Sequence, residues 1–268
     1  MQQPIISLIT DFGDEDFFVG SLKGVIASIN PQARILDITH GVPSFDITAG
    51  AFLLYAAYRY YPDQTVFLTV VDPGVGSERR ILLFESQRYF FVAPDNGLLS
   101  LVLQQEKSCT VREVTNSDYF LDKTSKTFEA RDKMAPVAAW ISKGILTEKF
   151  GPIVSDCQKI GILEPVRKGD EVSGFILYRD KFGNLITNIP AAMVEAAEGL
   201  GSKACLETKE RRELILPRKK NYSSAEKGEI FFLTGSLGLI EIAVREGSAS
   251  DLTGVKPGDP VKIILKRT

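Results

Sequence analysis

The sequence predicts an α/β amino-terminal domain, with a mostly parallel sheet between helices, followed by a smaller all-β domain. Three observations predict it. Over the first 150 residues short apolar runs alternate with helix-period segments. The run at 65–71 (TVFLTVV) is apolar nearly throughout, as a parallel strand buried on both faces must be. Beyond about residue 150 glycines and prolines punctuate short β-rich runs instead.

Taken in order, residues 5–9 (IISLI) read as a strand, DFGDED as a polar loop and 17–29 as a helix stopped by Pro31. Residues 34–39 (RILDIT) read as a second strand, and Asp46 is placed to cap a helix from 47 to about 60, ahead of Pro62. The strand at 65–71 runs directly into Asp72-Pro-Gly-Val-Gly. A strand pair at 81–84 and 89–92, a short helix at 97–103, a strand at 110–114 and a helix at 131–143 ending at Gly144 complete the first domain, assigned to 1–155. A linker at 156–169 leads to a second domain at 170–268, with strands at 172–178, 185–189, 212–216, 229–234, 238–244 and 261–265 and one helix at 190–200. That pattern fits a small barrel or a sandwich.

Composition narrows the function. In 268 residues, 32 basic side chains balance 34 acidic ones with no long single-sign run, so neither nucleic acid nor an anionic membrane is an expected partner. Cys109, Cys157 and Cys205 form no CxxC pair, which speaks against a disulfide framework and for a reducing cytoplasm. The single histidine, His40, excludes metal sites that need two or three imidazoles. No basic leader precedes the first apolar run and no stretch approaches the ~20 apolar residues of a bilayer span.

Ligands of open parallel sheets bind outside the carboxyl ends of the strands. Three acidic loops fall there: Asp11-Phe12-Gly13, Asp72-Pro-Gly-Val-Gly76 and Asp95-Asn96-Gly97. Each is also ordinary turn chemistry, but their coincidence points to a nucleoside site, where a carboxylate accepts ribose hydroxyls. Neither GxGxxG nor GxxxxGK[ST] occurs at a strand-to-helix turn, so dinucleotide and phosphate-loop fingerprints are missing. His40 reads equally as a base and as a packing residue. In Thr127-Phe-Glu-Ala-Arg-Asp132, Glu129 and Asp132 either serve chemistry or cap the following helix, with Arg131 as their partner. Asp180-Lys-Phe-Gly-Asn184 and Thr234-Gly-Ser-Leu-Gly238 carry hairpin chemistry.

Taken together, LITDFG, INPQARILDITHGVP, VFLTVVDPGVGSERR, FVAPDNGLLS, FEARDKMAPVAA, DKFGNLITNI and GSLGLIEIAVREGSA occur in one order. They resemble the S-adenosylmethionine hydroxide adenosyltransferases, or S-adenosylmethionine hydrolases, relatives of the fluorinases and chlorinases. The resemblance spans roughly 5–265. It implies a carboxy-terminal β-barrel and a homotrimer with sites at subunit interfaces. It also implies attack of water or hydroxide on C5′ of S-adenosylmethionine, giving adenosine and L-methionine without metal or redox cofactor. Asp11 matches the aspartate that holds the ribose. Asp72 and Arg79 match the first two members of an Asp-Arg-His water-activating set, and Glu129 stands at the position of the histidine. A carboxylate there can still take a proton, but two acids require Arg79 to offset their repulsion. Phe12, Asp95 and Asn96 join Asp11 as implied substrate contacts, and Asp180, Phe182, Asn184, Ser236 and Arg245 serve the methionine and adenine ends. The halogenases carry a tyrosine where Asp72 stands, and an ionised Asp72 repels a halide. Halide-dependent adenosyl transfer and a catalytically weak binding protein are the alternatives.

Overall fold

The computed structural model describes residues 3–161, 164–195, 200–207 and 213–267. The chain forms two units, Met1–Ile160 and Gly161–Thr268.

In the first unit β1 (Ile5–Thr10) leads into α1 (Phe17–Ile29), β2 (Arg34–Thr39), α2 (Ile47–Ala57), β3 (Val66–Val70), β4 (Ile81–Ser86), β5 (Phe90–Pro94), α3 (Ser100–Gln105), β6 (Cys109–Glu113) and α4 (Ala135–Ser142). The six strands form one sheet in the order β2-β1-β3-β5-β4-β6. Pairs β1–β2, β1–β3 and β3–β5 are parallel, whereas β4 runs antiparallel to both β5 and β6. The sheet is therefore mixed, with three of its five pairings parallel: the few residues between β4 and β5 can close a hairpin but cannot make the crossover that parallel strands need. Every residue of β3 is buried, as its unbroken apolar run requires.

Local chemistry fixes the helices. Asp46 accepts the Ala49 N–H at 2.9 Å and so caps α2. That helix ends at Ala57 and a tighter turn, Tyr58–Tyr60, carries the chain toward Pro62. The helix expected at 97–103 begins only at Ser100, because Asn96 Oδ1 takes the Leu98 N–H and Gly97 adopts φ +94°, closing a turn first. Leu22 and Ile26 of α1, Phe128, and Met134, Val137 and Ala138 around α4 pack on Ile6, Leu8 and Leu68 of the sheet to form the core.

In the second unit β7 (Val166–Lys168), β8 (Glu171–Arg179), β9 (Leu185–Pro190), α5 (Ala191–Glu195), β10 (Leu200–Glu207), β11 (Glu213–Pro217), β12 (Ile230–Thr234), β13 (Leu239–Val244), α6 (Ala249–Thr253) and β14 (Pro260–Arg267) follow. Its sheet runs β11-β10-β14-β8-β9-β13-β12, antiparallel throughout, with β7 also on β8. Past β11, Arg218 bridges to Phe232 of β12. The helix expected over 190–200 is confined to α5 among the described residues; 196–199 lie outside them and Leu200 already belongs to β10. The short helix α6 went unforeseen, although Ser248 caps its start by accepting the Asp251 N–H and Gly254, at φ +71°, ends it.

Candidate active site

Neighbouring parallel strands deliver their following residues to the same edge. Asp11 directly follows β1 and Asp72 stands two residues past β3, so the two carboxylates lie side by side at the carboxyl end of the sheet. Because β4 runs the other way, its amino end returns to that edge and brings Arg79 with it. The loop between Asp72 and Arg79 needs Gly76: its φ is +81°, and a Cβ there would stand 2.6 Å from the Lys126 carbonyl oxygen. That close approach sets the 126–129 segment against the Asp72 loop.

Glu129 comes from the turn that opens α4. Pro136 has no N–H to give the carbonyl of Asp132, which instead accepts the Leu121 N–H at 2.9 Å. The preceding turn widens into a π turn over Ala130–Met134, closed by the Ala135 N–H on the Ala130 carbonyl. Neither Glu129 nor Asp132 caps α4, the structural alternative their sequence allowed: Glu129 makes no capping bond, and Asp132, fully buried, accepts the Ser125 N–H and Arg131 Nε, each at 2.6 Å. Arg131 meanwhile lies over the Phe128 ring, 4.9 Å from its centroid.

These elements converge on a line of alternating charges. Arg79 Nε lies 3.0 and 2.9 Å from the two oxygens of Asp72, and Nη2 reaches Oδ2 at 2.5 Å. The same Nη2 lies 2.6 Å from Glu129 Oε2, while Lys133 Nζ holds Glu129 Oε1 at 2.5 Å. The side chains of Asp72, Arg79 and Glu129 are only 6%, 7% and 8% exposed. Burial alone would push the Glu129 carboxyl up, but the Lys133 hydrogen bond and the charges of Arg79 and Lys133 outweigh it and hold that carboxyl below its ordinary range. Burial works against the Arg79 charge too, yet hydrogen bonding and the charge of Asp72, then the charge of Glu129, raise its pKa.

A cavity of about 280 Å³ opens beside this line, with Asp11, Asp72 and Glu129 on its polar side and Phe12, Phe45 and Phe128 among its apolar walls. Asp11 Oδ2 accepts the Phe45 N–H at 2.9 Å. Phe45 itself sits at φ 68° with its ring 71% exposed at the mouth, a conformation that costs a side-chain-bearing residue of order 1 kcal/mol or more.

Other sequence candidates lie elsewhere. Asp95 stands beyond β5 at the same edge, but it is buried, with Oδ2 held by Arg80 and Oδ1 accepting the Gln158 N–H at 2.8 Å. Asn96 donates its amide N–H to the Val71 carbonyl and accepts the Leu98 N–H on its Oδ1. His40 is buried behind the first loop, its Nδ1 2.8 Å from Thr10 Oγ1 and its Nε2 3.1 Å from Asp37. Packing, rather than the base role its sequence also allowed, is what this position supports.

In the second unit Asp180 accepts the Phe182 and Asn184 N–H groups and the Asn184 amide, all at 2.9 Å, which stiffens the 180–184 loop and leaves Phe182 67% exposed. Ser236 is exposed in the turn between β12 and β13, and Arg245 Nη1 donates to the Ala225 carbonyl at 2.5 Å. Glu241, buried nearby, accepts the Tyr222 hydroxyl; burial pushes both groups up, and the charge of Asp180 adds to the shift of each. Sequence reasoning missed Lys133 and Phe45. The Glu129–Lys133 spacing of four was the available signal for the first; nothing in the sequence marked the second.

Among the described residues no group of three or more His, Cys, Asp or Glu side chains is disposed to hold a metal ion, and no helix is long and apolar enough to cross a membrane.

The comparisons with known proteins agree on one family. Residues 6–151 match the model of the SAM hydroxide adenosyltransferase N-terminal domain, and 174–262 match that of its C-terminal domain. The chain is 35% identical over 266 residues to an (R)-S-adenosyl-L-methionine hydrolase of Salinispora tropica, covering 97% of each. A fluorinase of Actinopolyspora mzabensis is more distant, 26% identical over 290 residues with 97% of each chain covered. Among solved structures, an uncharacterized conserved protein from Thermotoga maritima superposes with a TM-score of 0.90 at 35% identity, over 97% of this chain and 99% of that one.

Proposed function

The chain belongs to the SAM hydroxide adenosyltransferase family, and from that premise we propose that it hydrolyses S-adenosyl-L-methionine to adenosine and L-methionine. The observation that carries the reading is the buried Asp72–Arg79–Glu129 line opening on a cavity that also contains Asp11. A sulfonium is already a good leaving group, so the protein has to orient one water in line with the C5′–S bond and remove its proton. Asp11 takes the ribose hydroxyls and Phe12, Phe45 and Phe128 wall the nucleoside. Asp72 takes the proton of water: it lines the cavity beside Asp11 and, among the described residues, is paired with one cation, Arg79, whereas Glu129 is held between two, Arg79 and Lys133. The water oxygen bonds to C5′, the C–S electron pair returns to sulfur and neutralises it, and Asp72 passes the proton to solvent. Arg79 offsets the hydroxide-like charge as it develops.

The rest of the reading follows. Asp180, Phe182, Asn184, Ser236 and Arg245 serve the methionine and adenine ends in a homotrimer with sites at subunit interfaces. The exposed Phe45 and Phe182 rings support it as apolar groups that a second copy would cover. Asp95 and Asn96 support the fold of their loop instead of touching substrate. The Arg218–Phe232 bridge between the two edge strands supports a closed β-barrel, and the free Cys109 and Cys157 support a reducing cytoplasm.

Incubation with S-adenosylmethionine in heavy-oxygen water, with and without chloride, tests the activity by mass spectrometry. Adenosine labelled at the 5′ oxygen is the expected product. A 5′-chloro nucleoside would assign the chain to halide transfer, and unchanged substrate with retained adenosine would make it a binding protein.

A further inference from the structure

The hydrolase reading leaves one member of the charged line without a part. Lys133 lies on the π turn that begins after Glu129, and its side chain is 28% exposed. It is directed at Glu129 Oε1, and its Nζ also lies 5.8 Å from the centroid of the Phe120 ring. Glu129 is faced by Arg79 from the loop ahead of β4, by Lys133 from its own turn and, across Arg79, by Asp72 from the β3 loop. With Asp72 and Glu129 negative and Arg79 and Lys133 positive, the line is neutral; without Lys133, two buried carboxylates would share one guanidinium. Histidine, the residue that the resemblance places at this position, brings no negative charge and would need no such partner.

We propose that Lys133 is a positioning residue of the hydrolytic site: by gripping one oxygen of Glu129 while Arg79 grips the other, it fixes that side chain as an oriented anion and leaves Asp72 as the proton acceptor. Glu129 and Lys133 thus act as a unit in place of one histidine. The geometry is specific to both residues. Lys133 reaches Glu129 from four residues on, within the π turn, with Asp132 turned inward to Ser125 and Arg131.

The inference rests on the hydrolase reading, and its test separates the two. The pH dependence of kcat/KM is measured for the wild type, Lys133→Met and Lys133→Arg, and the Glu129 carboxyl is followed in the same proteins by carbon-13 NMR, assigned with Glu129→Gln. Loss of the ammonium should raise the acid limb and the Glu129 titration together by about one pH unit. It should lower kcat about tenfold with little change in KM, the mark of an interaction made in the transition state; Lys133→Arg should restore all three. An unmoved rate profile in Lys133→Met, whether or not the NMR titration moves, overturns the positioning role while the hydrolase reading stands. A wild type without turnover overturns both.

Discussion

Removing the Arg79 guanidinium is the perturbation whose outcome the structure constrains most tightly. In Arg79→Met the apolar stem is kept and the charge is lost from a side chain only 7% exposed, between Asp72 and Glu129. Breaking a buried pair from one side costs about 3–5 kcal/mol, because the remaining charge is stranded. Glu129 keeps Lys133, so the stranded group is Asp72 alone and the low end, about 3 kcal/mol, applies. For a unit of this size that corresponds to a fall of about 6–12 °C in Tm. The pH dependence has a definite sign. Glu129 titrates below its ordinary value when folded, so its contribution to stability is present above the unfolded pKa and is lost as pH falls through the folded one. Without Arg79 that depression shrinks, so wild type and variant should differ most near neutrality and converge in acid. Urea unfolding at about pH 7.5 and about pH 4 reads both quantities. Adding Asp72→Asn should recover much of the stability while turnover stays lost. A loss below about 1 kcal/mol at neutral pH, the size of an exposed pair, would refute the claim that these charges are compensated as a buried set.

Three further outcomes are expected. Asp72→Asn should keep the wild-type fold by circular dichroism and lower kcat about 10²–10⁴-fold in an adenosine-release assay, the usual share of a general base; turnover within tenfold of wild type would move the proton acceptor elsewhere. Gly76→Ala forces a Cβ to within 2.6 Å of the Lys126 carbonyl at a positive φ. It should cost about 1–3 kcal/mol by denaturant unfolding and weaken turnover as the 126–129 segment shifts; an alanine tolerated without loss would show that this approach is not needed. Glu241 titrates above its ordinary value because it is buried. Its contribution to stability is therefore full below the unfolded pKa and lost as pH rises through the folded one. Glu241→Gln should flatten that loss, gaining on the wild type as pH rises above the ordinary carboxylate range in thermal unfolding of the second unit; parallel curves would refute the burial argument.

Much of this was legible in the sequence because the relevant physics is local. An unbroken apolar run can be buried on both faces only as a central strand, and β3 is one. An aspartate ahead of a helix-period segment caps it, as Asp46 does α2. What escaped depended on partners distant in sequence. The loops of Asp72 and Asp95 have the same turn-forming composition, yet Asp72 opens on a cavity while Asp95 is consumed by Arg80 and Gln158, and nothing near either residue distinguishes them. The antiparallel pairing of β4 with β5 was legible too, since the few residues between the two runs leave room only for a hairpin. The pairing of Lys133 with Glu129 was visible as a spacing, but its importance appears only once Arg79, fifty residues earlier, arrives at the other oxygen.

The π turn also makes the reach of Glu129 a matter of counting. An α-helix advances about 100° per residue, and a turn holding one extra residue moves everything before it by about that angle relative to the helix that follows. Glu129 lies on the near side of that offset and α4, anchored in the core, on the far side. Deleting Ala130 or Met134, or replacing Pro136 so that regular helical bonding resumes, would leave every charged side chain in the sequence and still swing Glu129 about a quarter-turn away from Arg79. The active-site line is thus encoded as much in the phase of a helix as in its ion pairs, and a redesign that preserved each residue but straightened that turn would lose it.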